Sequence, residues 1–353
     1  METRTTTDEG RPAPDVTNVA VAHEPQRRQE SGLVEVAVVG VGGWGKNLAR
    51  NYFQIPDANL RYACDLDPGK LAAASTNYPG VRTTDDFDTM LKDPDLQAVV
   101  IATTAPTHYS LAKRALLAGK DVYVEKPFVL EVSEARELID IAESAGRILM
   151  VGHLLEYHPV VVKLKSMIDS GELGNIHYVY SQRLNLGTVR EDENALWNFA
   201  PHDISAILYL LGKEPVDISA RGQSYLRNGV EDVVFFTLTF ADNSMASIHV
   251  SWLDPHKVRK LTIVGSNKMA VFDDLEANEK LKVYDKGPQF GEDYDSFAEY
   301  IGLRFGDITI PYIKTGEPLR AECQHFLECI RERKQPISDG HDGLRVVRVL
   351  DAA

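Results

Sequence analysis

An apolar run, Leu33–Val39, leads directly into Gly40-Val41-Gly42-Gly43-Trp44-Gly45 and then into a helical pattern over Gly43–Phe53. Few folds accommodate that order of elements. In a strand–turn–helix unit the G-x-G-x-x-G spacing has a distinct use for each glycine: Gly40 for the tight turn, Gly42 for close approach of a pyrophosphate, and Gly45 for close packing of helix on strand. The helix start, with Gly43 and Trp44, then offers free N–H groups and a positive dipole end to phosphates. The next strand, Asn59–Cys64, runs into Asp65, 20 residues past Gly45. A carboxylate there accepts hydrogen bonds from the adenosine ribose and repels a 2′-phosphate, so NAD is favoured over NADP. Turn glycines and a solvated turn acid are the plainer reading of the same residues.

The pattern around this unit predicts an α/β nucleotide-binding Rossmann domain over 32–152. Helices from Pro68, around Asp85–Leu91, over Pro106–Leu117 and over Ser133–Ala145 alternate with continuous apolar strands at Ala98–Ala102, Val122–Glu125 and Ile148–Val151. Such strands belong to a parallel sheet buried on both faces. From 153 to 353 the texture changes to an α+β substrate-binding and oligomerisation domain with a mostly antiparallel sheet. Its helices are expected at Val160–Ser170, His202–Leu211 and Glu317–Lys334, with one starting near Asp342. Its strands are expected at Ile176–Leu186, Val233–Phe240, Met245–Trp252, Leu261–Val264 and Ala270–Phe272. Residues 1–31, rich in Thr, Pro, Glu and Arg, predict a disordered tail. The last helical pattern is cut by Ala353, which suggests the end of a fragment.

Asp and Glu number 52 against 38 Lys and Arg, a net charge of −14 over 353 residues. That balance argues against nucleic acid and anionic membranes as partners. Three scattered cysteines fit a reducing compartment, and no apolar run approaches a membrane span, so a cytoplasmic protein is expected.

Two places carry chemistry. Glu125-Lys126-Pro127 closes a strand, and in an open parallel sheet ligands bind beyond the carboxyl ends of the strands, which directs Lys126 to the cleft. Proline there makes a fixed bend, with a cis bond one option. Farther on, Trp197-Asn198-Phe199-Ala200-Pro201-His202-Asp203 predicts a helix beginning at Pro201. His202 would then lie in the first turn, where the dipole disfavours imidazolium and leaves a neutral base. A surface lysine and a capping histidine are the competing readings. Asp203 reads as a helix-start acid, and no His, Asp or Glu set has metal-ligand spacing.

These residues resemble the glucose–fructose oxidoreductase, inositol dehydrogenase and rhizopine-catabolism (Gfo/Idh/MocA) family over nearly everything from Leu33 onward. The marks are the glycine fingerprint, the loop Ala102-Thr103-Thr104-Ala105-Pro106-Thr107-His108, and Glu125-Lys126-Pro127. The resemblance implies cofactor contacts from Thr103, Thr104, Pro106, His108, Glu125 and Lys126. It makes Lys126 the partner of the reacting hydroxyl and His202 the base. It also implies a homodimer or homotetramer formed through the antiparallel sheet. The family's Asp-x-x-x-His pair departs here, with Asn198 in the aspartate's place. The stretch from Arg183 through Asn185 and Arg190 to His202 looks like a branch oxidising C3 of nucleotide-linked or antibiotic sugars. Arg183 and Arg190 would hold a phosphate or carboxylate, Asn185 and Asn198 would read hydroxyls, and Tyr157 and His158 would form pocket wall. Surface pairing with Glu191, Asp192 or Glu193 competes for both arginines. Other readings are a keto, imine or linear-tetrapyrrole reductase on the same fold, and a non-catalytic NAD-binding sensor.

Overall fold

The computed structural model of the chain describes residues 32–187, 193–290 and 301–353. The tail over 1–31 and Arg190 therefore lie outside the described residues.

The first half is a parallel six-stranded sheet in the order β3-β2-β1-β4-β5-β6. Its strands are β1 (Val34–Val39), β2 (Ala58–Cys64), β3 (Arg82–Thr84), β4 (Ala98–Ile101), β5 (Asp121–Glu125) and β6 (Leu149–Gly152). Every residue of β4 and β5 is buried, as expected of strands covered on both faces. The covering helices are α1 (Gly45–Gln54), α2 (Pro68–Asn77), α3 (Phe87–Leu91), α4 (His108–Leu117) and α5 (Val132–Ala145). Their ends follow local chemistry. Asp67 caps α2 by accepting from the Gly69 and Lys70 amides, with Pro68 at the first helical position. Gly146 ends α5 in the left-handed region at φ 59°.

The second half carries α6 (Pro159–Asp169), β7 (Ile176–Leu184) and α7 (Ala195–Leu211). It continues with β8 (Pro215–Gln223), β9 (Val233–Phe240), β10 (Met245–Ser251), β11 (Val258–Gly265), β12 (Met269–Asp273), β13 (Leu281–Phe290) and β14 (Ile301–Thr309). These form one sheet in the order β14-β13-β12-β11-β7-β10-β9-β8, antiparallel throughout except where β7 runs parallel to β10. One face rests on α6 and α7 through a shared core including Leu164, Ile204, Leu208, Phe236 and Ile263. The chain ends in α8 (Pro318–Glu332) and α9 (Gly340–Ala352). Both return to the first sheet. Cys323, Phe326 and Leu327 of α8 join Val36, Leu48 and Tyr123, while Leu344 and Val347 of α9 join Leu138 and Val151.

One helix boundary differs from the sequence reading in a way that matters for the site. α7 begins at Ala195, capped by the Asn194 side chain accepting from the Trp197 amide at 3.0 Å, and Pro201 lies inside it. A proline inside a helix leaves the carbonyl four residues back without its donor, a cost of about 3 kcal/mol. Burial of 13 of the 17 residues of α7 offsets that cost. His202 is thus more than one turn inside the helix, beyond the reach of the N-terminal dipole. Asp203 is not a helix-start acid either: it is buried and paired with Arg183.

Candidate active site

The glycine turn has the geometry a dinucleotide requires. Gly40 takes φ +84°, and a Cβ on Gly45 would fall 1.7 Å from the Gly40 carbonyl oxygen. A side chain at either position is therefore incompatible with the turn. Lys70, which the sequence reading overlooked, lays its ammonium over Gly42, 3.2 Å from where a Cβ would be. A pyrophosphate cradled by the turn would meet that positive charge. Asp65, at the tip of β2, accepts from the Asp67 amide at 3.0 Å and from Lys70 Nζ at 3.4 Å. These residues fit NAD: glycine backbone and Lys70 for the phosphates, Asp65 for the ribose.

A cavity of about 700 Å³ opens beyond the ends of β1, β4 and β5, with α7 as its opposite wall. Trp44, Thr103, Thr104, Pro106, Glu125, Lys126, Arg183 and His202 all line it. The Trp44 indole donates to Glu125 Oε1 at 2.6 Å, joining the glycine turn to the end of β5. Burial raises the Glu125 pKa, opposed by that indole and by Lys126. The Lys126-Pro127 peptide bond is cis. Lys126 Nζ donates to the Asn198 carbonyl oxygen at 3.1 Å, so the lysine reaches across to α7, one helical turn before His202. His202 is held uncharged by burial and by the positive charges of Arg183 and Lys126, which place its pKa well below the usual imidazole value. An uncharged imidazole was expected here from a helix dipole; desolvation and neighbouring cations favour it instead.

The Asn198 amide donates to Glu193 Oε1 at 3.0 Å, and Glu193 lines the cavity. A carboxylate thus stands beside the site although position 198 lacks one. The spacing of Glu193, five residues before Asn198, gave no signal because Glu193 precedes the helix start and only the capped turn at Asn194 brings it to Asn198.

The remaining singled-out residues have other surroundings or further partners. His108 is buried behind the cavity, its Nδ1 2.8 Å from the Pro127 carbonyl oxygen and its Nε2 3.2 Å from that of Thr103, so it fastens the loop after β4 to the turn after β5. Tyr157 is buried and hydrogen-bonds Ser338 at 3.0 Å. His158 caps α6 and sits 3.4 Å from Asp274. Asn185 and Asn198 border a second cavity. Arg183 pairs with Asp203, Nε to Oδ2 at 2.5 Å.

The fold also assembles a set that no local spacing reveals. His153, Glu156 and Asp342 are buried with ligand-type atoms within 4.8 Å of one another. Burial alone would lower the His153 pKa, but Asp342 at 2.5 Å and Glu156 at 3.4 Å hold the imidazolium and push it up to about 10. A salt-bridged histidine accounts for this cluster.

A glycine turn for a dinucleotide, facing a lysine and an uncharged histidine across one cleft, defines a nicotinamide-dependent oxidoreductase of two halves. Comparison with known proteins agrees. Residues 34–153 match the family described as "Oxidoreductase family, NAD-binding Rossmann fold", and residues 161–271 match the "GFO/IDH/MocA C-terminal domain". The chain belongs to the Gfo/Idh/MocA oxidoreductase family, and its cofactor is NAD. It is 27% identical over 315 residues to UDP-N-acetylglucosamine 3-dehydrogenase of Acidithiobacillus ferrooxidans, covering 89% of this chain and 94% of that one. A solved structure of that enzyme superposes with a TM-score of 0.74 at 25% identity, over 90% of this chain and 95% of its own. The scyllo-inositol 2-dehydrogenase (NAD(+)) of Bacillus subtilis is 26% identical over 320 residues, 86% of this chain and 88% of that one. GenD2 from gentamicin A biosynthesis, solved in complex with NAD, shares the fold, with a TM-score of 0.76 at 24% identity over 91% of this chain and 93% of its own.

Proposed function

We propose that the chain oxidises a secondary hydroxyl of a sugar, at C3, to the ketosugar. The observation that carries this reading is the convergence of Lys126 and uncharged His202 on one cavity, with Lys126 anchored to the helix that bears His202. The relatives that act on C3 of a nucleotide-linked sugar and on inositol support the substrate class.

His202 accepts the hydroxyl proton as general base. The Lys126 ammonium stabilises the oxygen as it gains negative charge, a contribution that grows toward the transition state. NAD, when bound, supplies the acceptor for the carbon-bound hydrogen and its electron pair. Thr103, Thr104 and Trp44 shape the cofactor side of the cleft, and Glu193, held by Asn198, offers a hydrogen-bond acceptor to a neighbouring hydroxyl. Ketone reduction would use the same groups in reverse. The test is a panel of nucleotide sugars and aminoglycoside intermediates, followed by reduction of NAD in the near ultraviolet. Turnover of none of them would remove the reading.

The outer face of the second sheet supports self-association. Tyr178, Tyr180, Phe235 and Met245 are exposed there, between 39% and 54%, on strands registered so that Met245 lies opposite Tyr178 and His249 opposite Phe235. An apolar sheet face of this kind is suited to a second copy, giving a homodimer or homotetramer. Three unpaired buried cysteines suit a cytoplasmic setting. Among the described residues no helix is long and apolar enough to cross a membrane.

A further inference from the structure

Arg183 of β7 and Arg259 of β11 are direct partners across neighbouring antiparallel strands. Like charges placed opposite each other repel, and partial burial strengthens the repulsion. Arg183 is neutralised by Asp203. Arg259 has no carboxylate at ion-pair distance among the described residues, although the chain carries a surplus of acids. Its Nη1 donates to the carbonyl oxygens of Leu184 at 2.9 Å and Val258 at 2.8 Å, and its Nη2 donates to Asn185 Oδ1 at 2.7 Å. The guanidinium lies 5.1 Å over the Phe199 ring. These contacts fix the group in place and leave its Nε–H and one Nη2–H without an acceptor among the described residues. Burial and then Arg183 bring its pKa down to about 10, which keeps it charged at neutral pH.

Arg259 borders the second cavity, about 540 Å³, together with Asn185, Asn198, Phe199 and the exposed Lys257. Asn198 joins the two cavities. It borders this one, and its carbonyl oxygen holds Lys126 of the first. Arg259 is also near enough to His202 for its charge to help lower the histidine pKa.

From this arrangement we propose that the second cavity is a phosphoryl-binding subsite of the substrate, with Arg259 as a pre-aligned fork and Lys257 as a mobile second cation. A sugar reacting between Lys126 and His202 places its phosphate or diphosphate past Asn198, where the anion relieves the repulsion between the two arginines. Planar guanidinium forks are suited to two phosphoryl oxygens at once. The inference deepens the proposed function and rests on it for the identity of the sugar.

The test uses the full chain saturated with NAD, so that the pyrophosphate cradle is filled. Inorganic diphosphate, a hexose 1-phosphate and a nucleoside diphosphate are titrated calorimetrically into wild type, Lys257→Ala and Arg259→Gln. Binding is expected to weaken about tenfold or more in Arg259→Gln and severalfold in Lys257→Ala. A preference between the sugar phosphate and the nucleoside diphosphate identifies which moiety carries the recognised group. With substrates, KM for phosphorylated sugars rises in both variants, while in Lys257→Ala KM for a neutral glycoside stays within about twofold. Unaltered diphosphate binding in both variants would overturn the subsite, as would equal KM shifts for charged and neutral sugars. Lys257→Ala changes an exposed side chain and keeps the test valid if Arg259→Gln fails to fold. If no sugar is turned over, the dehydrogenase reading fails, and the diphosphate titration still decides the subsite.

Discussion

Lys126 Nζ of the first half is hydrogen-bonded, at 3.1 Å, to the carbonyl oxygen of Asn198 in the second half. The bond aims the ammonium at the helix turn that presents His202. Replacing Lys126 by Ala is expected to lower kcat by ~10²–10³-fold, the scale of losing one oxyanion-stabilising donor. NAD affinity, read by quenching of tryptophan fluorescence, should change little. Equal turnover by both proteins would remove the lysine from the mechanism.

Asn198→Asp would place a second carboxylate about 3 Å from Glu193, where one of the two must take up a proton or move away. Activity is therefore expected to fall, and the double variant Asn198→Asp/Glu193→Gln is expected to recover most of it. A gain in the single variant would show that Glu193 does not stand in for the carboxylate absent from position 198.

The pH dependence of kcat/KM follows from the depressed pKa of His202. With His202 as the proposed base the uncharged ring is the active form, so activity is expected to hold through neutral pH and to fall only as acid protonates it, well below pH 6.5. Arg259→Gln removes one of the charges that depress this pKa and should move the acid limb upward. A limb at or above the ordinary imidazole value in wild type would contradict the assignment.

Asp65 and Lys70, paired at 3.4 Å, are expected to set the nucleotide preference together. Asp65→Ser removes the charge that repels a 2′-phosphate and releases Lys70 to face it. The ratio of kcat/KM for NADP over NAD is expected to rise by about tenfold or more, equivalent to ~1.4 kcal/mol. Parallel NAD and NADP kinetics give the answer directly.

His153 supports the fold with a charge. Its folded pKa, about 10, is above the ordinary imidazole value, so its stabilising effect is complete below about pH 6.5 and disappears as pH rises through 10. His153→Gln would leave Glu156 and Asp342 facing each other, a loss on the order of 3–5 kcal/mol at pH 6. Melting temperatures of the two proteins should approach each other toward pH 10.

Most of the first sheet was legible because its motifs act locally: the glycine turn, Asp65 and the Lys126 bend are fixed by their own neighbours, while the short strand β3 and the position of Lys70 over Gly42 were not. Elements that depend on distant packing were harder to read. The proline at 201 signals a helix start, and only the burial of α7 against the second sheet carries the helix through it. β8, β13 and β14 escaped notice because the first is an edge strand with no buried residue and the others contain Gly287, Pro288, Gly302 and Gly306. Arg259 gave no sign at all, since its meaning comes from pairing with Arg183, 76 positions earlier in the chain.

The return of α8 and α9 to the first sheet makes the architecture a clasp: the polypeptide leaves the nucleotide half at β6 and comes back to finish it. Truncation after Gly152 would strip Phe326 and Leu327 from one side of that sheet and Leu344 and Val347 from the other, exposing bare apolar surface. Anyone transplanting a new specificity into this scaffold would have to exchange an internal cassette and keep both flanking segments.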